Sequence, residues 1–381
     1  MLLVYFAHFA GGADAASAMD GDLFAAMRAQ GHEVVVLSPF RDPSAGRIAG
    51  DVGGGRLARL ALALPGYARM LSRGLREARD PTAKVASQYH VFHPATAVAF
   101  LAARLRGRPL VVRAHDPLPG SYRSEAQGAI FRAAFHAYRA ILRHRQTHVL
   151  VPSPELRAAA SERLGLPPER VRVVPNNVTP FREADPLAVE ALRDSLGLRG
   201  ARVVLQFGSF TERGTATFVE AVRRSPPTVR GLVLADPWRG RTFAEEARRQ
   251  AIPDRIVVVP TQPHAKLADY LALADACVGL LSADPLAFGS LPRSTLEAMA
   301  AGRPVVLCRG GASSTLVEDG GNSGLLVPPE NAAALAAALA RVFEDATLAA
   351  DLGRRARETV LARFHSDVVA RSFASVIEGI P

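Results

Sequence analysis

The sequence predicts an α/β protein of two doubly wound domains, each a parallel sheet with helices on both faces. Three observations carry this. The chain has 381 residues, too many for one ordinary core. Short apolar runs without polar alternation recur between helix-period segments, and strands of that kind are buried on both faces, as parallel strands are. The series also breaks and restarts. The break is "NNVTPFREADP", residues 177–186, punctuated by Pro180 and Pro186. Residues 1–180 then form one domain and residues 181–365 a second.

The elements follow in order. "LLVYFAHF" is a buried strand that ends in a glycine turn. "DLFAAMRAQ" is a helix stopped by Gly31, and "HEVVVLS" is the next strand. A loose stretch with Gly46, Gly50 and Gly53 to Gly55 leads into the helical "RLARLALALPGYARMLSRGLREAR". "KVASQYHVFH" precedes the helix "PATAVAFLAARLRG", and "PLVVRAH" is a strand. The helical run "EAQGAIFRAAFHAYRAILRHRQ", the strand "HVLVPS", the helix "ELRAAASERLG" and the strand "VRVVPNN" complete the first series. The second contains the strands "RVVLQFG", "VRGLVLA", "RIVVVP", "ACVGLL" and "PVVLC". After "ACVGLL", residues 290–329 begin as a helix with Leu296, Met299 and Ala300 on one apolar face. They break at Gly302, form a strand over Pro304 to Leu307, and pass into a glycine-rich loop.

Composition excludes several classes. With 49% hydrophobic residues and no low-complexity tract, the chain is globular. Charges interrupt every apolar run well short of ~18 residues, so no transmembrane helix is read. The amino terminus has no basic n-region and reads as a strand, not a signal peptide. Cys277 and Cys308 lie in apolar strand-like runs and read as buried, reduced thiols of a cytosolic protein. No zinc-like spacing of Cys and His competes with that reading. "DGD", Asp20 to Asp22, is read as the start of the first helix, where acids cap and complement the dipole, and not as a metal site.

The charge is uneven. Residues 1–180 carry 23 basic and 13 acidic side chains, while residues 181–381 carry 23 of each. The whole net charge of +10 therefore lies in the first half, which suits an acidic surface. Two stretches, "RLARLALALPGYARMLSRGLREAR" and "FRAAFHAYRAILRHR", mix arginine with apolar residues. Such segments can lie on an anionic bilayer; alternatively their apolar residues face the core and their arginines face water. No recognised module supports nucleic-acid binding.

Open α/β sheets bind ligands at the carboxyl ends of strands, often where a glycine turn opens onto a helix. Three such turns occur: "HFAGGADAA" with Gly11 and Gly12, "FGSFTERG" with Gly208, Ser209 and Arg213, and "FGSLPRSTLE". Further along, "GHEVVVL", "PLVVRAHD", "VPSPELRAAASERLGLPPERVRVVPNNV" and above all "LEAMAAGRPVV…GG…LVEDGGNSGLLVPPEN" form a specific series. On these motifs, over essentially its whole length, the chain resembles the retaining glycosyltransferases of the two-domain GT-B fold. This is the group 1 and family 4-like class that uses nucleotide-diphosphate sugars. The closing "RFHSDVVARSFASVIE" is similar to the family helix that crosses back onto the first domain, which assigns residues 366–381 there.

The resemblance implies a hexose-type transfer from a nucleotide-diphosphate sugar to the hydroxyl of a glycan, lipid or small-molecule acceptor. It implies a metal-independent, cytoplasmic enzyme without a bound cofactor; with the basic first half, it would be peripheral at the inner face of the plasma membrane. It implies donor binding on residues 181–365 and acceptor binding on residues 1–180. Glu297 takes the position of the carboxylate that accepts the ribose hydroxyls, and two acceptor oxygens suit a vicinal diol. Pro292 opens the helix without wasting a donor, so N–H groups around Ser290 and Leu291 can face the sugar or diphosphate. Arg213 stands where a lysine usually grips the diphosphate. His115, in "RAHD", matches the histidine that reaches the donor sugar. Gly11 and Gly12, like Gly208 and Ser209, let backbone approach substrate. Two departures stand out: Gly289 where many members have a glutamate, and Ser209 where an arginine is usual. A sub-group with "SLP" before the helix also lacks that glutamate. A nucleotide-sugar epimerase and a catalytically degenerate scaffold subunit are the alternatives.

Overall fold

The computed structural model describes residues 1–7, 15–39, 56–88, 94–114, 129–208, 212–279 and 291–381. They divide into two compact units, Met1–Asn176 with Ser366–Pro381, and Asn177–His365.

The first unit holds the strands β1 (Leu2–Phe6), β2 (Glu33–Leu37), β3 (Ala83–Gln88), β4 (Leu110–Arg113), β5 (Thr147–Val151) and β6 (Val171–Val173). All pair in parallel, in the order β2-β1-β3-β4-β5-β6. The helices are α1 (Ala15–Ala29), α2 (Arg56–Glu77), α3 (Ala95–Leu105), α4 (Ala129–Arg143), α5 (Pro154–Leu164) and, from the end of the chain, a helix over Ser366–Glu378. β1 shows why its sequence is apolar throughout. Leu2, Val4 and Phe6 pack with residues of α2 to α5, while Leu3, Tyr5 and Ala7 pack with α1 and the Ser366–Glu378 helix. A strand facing two helical layers has no polar side to offer. α2 approaches β1 closely at Gly74, where a Cβ would stand 2.3 Å from the Phe6 ring. α5 follows its local signals: Ser153 accepts from the Leu156 N–H at 3.1 Å, Pro154 opens the helix, and Gly165 closes it at φ 64°.

The second unit holds β7 (Arg202–Phe207), β8 (Val229–Ala235), β9 (Ile256–Pro260), β10 (Ala276–Val278), β11 (Val305–Cys308) and β12 (Leu325–Val327). Its order is β12-β11-β10-β7-β8-β9, again parallel. Counted from its own first strand this is 6-5-4-1-2-3, the order of dinucleotide-binding sheets, whose direction of winding reverses between the first and fourth strands. The helices are α6 (Pro186–Ser195), α7 (Glu212–Arg224), α8 (Pro237–Arg249), α9 (Leu267–Leu273), α10 (Arg293–Ala300), α11 (Gly311–Asp319), α12 (Ala332–Glu344) and α13 (Ala346–Phe364). The Ser366–Glu378 helix, α14, then follows and packs on α1. Cys277 and Cys308 are buried, form no disulfide, and lie in the cores on opposite faces of this sheet. Burial pushes the Cys277 thiol up to about 12.

Two expectations change. The segment after Gly302 is not a plain glycine-rich loop: residues 311–319 form α11 and residues 325–327 the edge strand β12. Leu316 and Val317 are buried, so core packing prevails over the low helix propensity of the glycines. The first helix begins at Ala15, seven residues before its expected start, so Asp20 and Asp22 lie inside it and not at its amino-terminal cap. Asp20 is buried instead, and its partner is Arg113 at the end of β4, at 2.6 Å. The Tyr5 hydroxyl donates to the other oxygen of Asp20 at 2.7 Å. The Arg113 guanidinium also lies 5.6 Å from the centre of the Phe373 ring on α14. The Tyr5 hydroxyl is held well above the usual phenol range, first by burial and then by the Asp20 charge.

Among the described residues, no helix is long and apolar enough to cross a membrane. None of their His, Cys, Asp and Glu side chains form a group of three or more that could hold a metal ion.

Candidate donor site in the second unit

The reversal in the second sheet lies between β7 and β10. Ligands of such sheets enter just beyond the carboxyl ends of these two strands. β7 ends at Phe207 and turns at Gly208, where φ is 91°. A Cβ on Gly208 would stand 2.5 Å from Ser294 Oγ and 2.8 Å from its Cβ. Only glycine combines that backbone with that approach. The turn after the first strand therefore sits against the first turn of α10.

α10 carries Glu297. Leu296, Met299 and Ala300 bury the apolar side of the helix, and Thr295 and Glu297 are buried as well. Pro292 is the residue before the helix, at φ −58° and ψ 143°, and not its first helical residue. Its carbonyl still starts the hydrogen-bond ladder, accepting from the Thr295 N–H at 3.0 Å. Leu291, beside it, is buried.

The Glu297 side chain is 6% exposed. Its Oε1 accepts from Arg293 Nε at 2.6 Å and from His264 Nε2 at 2.8 Å. Arg293 is the first residue of α10 and its side chain is 3% exposed. His264 lies in the connection between β9 and α9, again beyond the carboxyl end of a strand, and its ring packs on Phe181 with centroids 4.8 Å apart. Burying a carboxylate is unfavourable unless cations and donors surround it, and here both sit on one oxygen.

Arg213 occupies the second position of α7, just after the glycine turn. Its guanidinium is 80% exposed and paired with Glu330 at 3.2 Å. A hollow of about 350 Å³ opens nearby between α7, α8 and Glu330, lined by Thr217, Glu220, Arg249 and Gln250. It does not include Gly208 or Glu297. His115, Gly11, Gly12, Ser209, Gly289 and Ser290 lie outside the described residues. The structure thus brings Gly208, Leu291, Pro292 and Glu297 to one end of the β7–β10 pair, with Arg213 at the head of the adjoining helix.

Sequence reading passed over Arg293 and His264. Arg293 had a signal, its place four residues before Glu297 on a helix. His264 had a weaker one, its place after an apolar strand.

Two parallel six-stranded sheets, each covered by helices and one wound like a dinucleotide-binding sheet, are the architecture of GT-B proteins. Residues 21–180 match the family model described as Glycosyltransferase Family 4, and residues 201–345 match Glycosyl transferases group 1. A D-inositol 3-phosphate glycosyltransferase of Acidothermus cellulolyticus is 30% identical over 230 residues, covering 57% of this chain and 48% of the relative. A glycogen synthase of Mycobacterium tuberculosis is 27% identical over 386 residues, covering 93% of this chain and 88% of the relative. The chain thus spans about half of the first relative and most of the second. Among solved structures, Anabaena Alr3699/HepE in complex with UDP and glucose matches with a TM-score of 0.75 at 20% identity, over 99% of both chains. The chain belongs to the GT-B glycosyltransferases that join a family 4 amino-terminal domain to a group 1 carboxy-terminal domain.

Proposed function

We propose that the chain is a retaining glycosyltransferase that moves a hexose-type sugar from a nucleotide-diphosphate sugar to an acceptor hydroxyl in glycan, glycolipid or glycoconjugate biosynthesis. The observation that supports it best is the buried carboxylate of Glu297 at the β7–β10 reversal, within a turn of the Gly208 contact. The names of the relatives and the UDP and glucose bound to HepE support a nucleotide-sugar donor. In this reading Glu297 accepts the ribose hydroxyls. Backbone N–H groups beside Gly208 and before α10 meet the diphosphate. Arg213 exchanges Glu330 for the diphosphate and stabilises its charge as it departs. An acceptor hydroxyl attacks from the face the diphosphate leaves, and His115 contacts the donor sugar. This reading calls for neither a metal nor a resident cofactor.

The test is titration calorimetry of wild type and Glu297→Ala with UDP, GDP, ADP and pyrophosphate. A hydrogen bond to a charged group contributes about 1.5–3 kcal/mol, so the nucleotide that binds best should lose about tenfold to a hundredfold in affinity. Pyrophosphate, which lacks ribose, should bind as before. Unchanged nucleotide affinity in a folded variant would rule out the role of Glu297. Product analysis over a panel of nucleotide sugars then separates transfer from epimerisation and from an inert scaffold.

A further inference from the structure

Arg293 sits badly for a residue that only stabilises its helix. A cation in the first turn opposes the helix dipole. An acid four residues after a base is the less favourable order of an i, i+4 pair. The guanidinium is also almost completely buried, at 3% exposure. Each of these disfavours the arginine as a helix device, and what it meets is Glu297 Oε1 at 2.6 Å. His264 reaches the same oxygen from a different element, 33 residues earlier in the chain. A carboxylate only accepts, so His264 Nε2 carries the hydrogen. Arg293 Nη2, 3.2 Å from that nitrogen, stands beside a donor and packs there without bonding to it.

The acceptor count is then informative. A carboxylate has about four lone-pair sites, two on each oxygen. Arg293 and His264 fill both sites of Oε1. Among the described residues nothing hydrogen-bonds to Oε2, so its two sites remain, and a vicinal diol brings two donors. From this we infer that His264 and Arg293 are positioning residues that lock Glu297 by Oε1, so that Oε2 alone accepts both ribose hydroxyls of the nucleotide. The inference rests on the ribose role of Glu297 and adds the device that orients it. Phe181 supports the His264 ring from one side and keeps its nitrogen on the carboxylate.

The experiment pairs a protein change with a ligand change. UDP, ADP and GDP, each with its 2′,3′-dideoxy analogue, are titrated into wild type, His264→Ala, His264→Gln, Arg293→Gln, Glu297→Ala and the His264→Ala/Glu297→Ala double variant. Folding is checked by circular dichroism. His264 is partly exposed, so His264→Ala carries the test even if Arg293→Gln does not fold. For the best ribonucleotide, His264→Ala should weaken binding about threefold to tenfold, the value of one hydrogen bond. The loss should disappear with the dideoxy analogue and in the Glu297→Ala background. Glutamine, whose Nε2 can replace the ring Nε2, should restore most of the affinity. A His264→Ala loss that persists with the dideoxy ligand, or adds fully to Glu297→Ala, would mean that His264 acts on another part of the nucleotide, and the positioning role falls. Full affinity in Glu297→Ala, or no diol-dependent binding by any of the three nucleotides, overturns the ribose reading and this inference together.

Discussion

Asp20→Ala tests the packing of the first unit. The change removes a carboxylate that receives Arg113 Nη1 at 2.6 Å and the Tyr5 hydroxyl at 2.7 Å, all within the core between β1, β4, α1 and α14. The Asp20 and Arg113 side chains are 6% and 3% exposed, so water does not replace what is lost. Removing one partner of a buried ion pair destabilises by about 3–5 kcal/mol. That is a large share of the ~5–15 kcal/mol that holds a domain together. For a unit of this size each kcal/mol moves the midpoint by about 2–4 °C. The melting transition of the first unit should therefore fall by about 6–20 °C in differential scanning calorimetry. The second unit, which contains none of these groups, should melt as before. Replacing the whole group by apolar residues, Tyr5→Phe with Asp20→Leu and Arg113→Met, should recover most of the loss, because no buried charge is left without its counterpart. A shift below about 2 °C for Asp20→Ala, or a triple variant no better than the single one, would refute the reasoning.

Three further outcomes are expected. His115→Ala should lower turnover while leaving nucleoside diphosphate affinity within about twofold; steady-state kinetics and calorimetry together check this, and wild-type turnover would remove His115 from the site. Transfer should survive excess chelator, which a radiolabelled-sugar assay with and without EDTA decides; complete loss restored by added metal would count against metal independence. The net charge of +10 confined to residues 1–180 should give salt-sensitive binding to anionic vesicles. Co-sedimentation with phosphatidylglycerol and phosphatidylcholine vesicles at low and high salt is the measure, and equal partitioning to both would contradict it.

The amino-acid sequence by itself determined the α/β class and most of the strands. Runs such as "LLVYF" and "VVLC" are apolar at every position because both faces of a parallel strand meet helices. Ser153, Pro154 and Gly165 bound α5 through contacts made within the same few residues. Glu297 and Gly208 were legible for a similar reason: each lies in a continuous motif on one turn or helix. The tertiary structure alone decided the strand order β12-β11-β10-β7-β8-β9, and with it which turns lie side by side at the reversal. It alone showed that Asp20 is a buried partner of Arg113, 93 residues away, and not a helix cap. The periodicity that reveals a helix specifies which face is buried, but not which polar group will stand across from it. That choice depends on strand order and register, which bring His264 within 2.8 Å of Glu297 and Ser294 against Gly208. A histidine after a strand or an aspartate in a helix reads alike whether it faces water or a charge, because its partner is distant in sequence and near only in the fold.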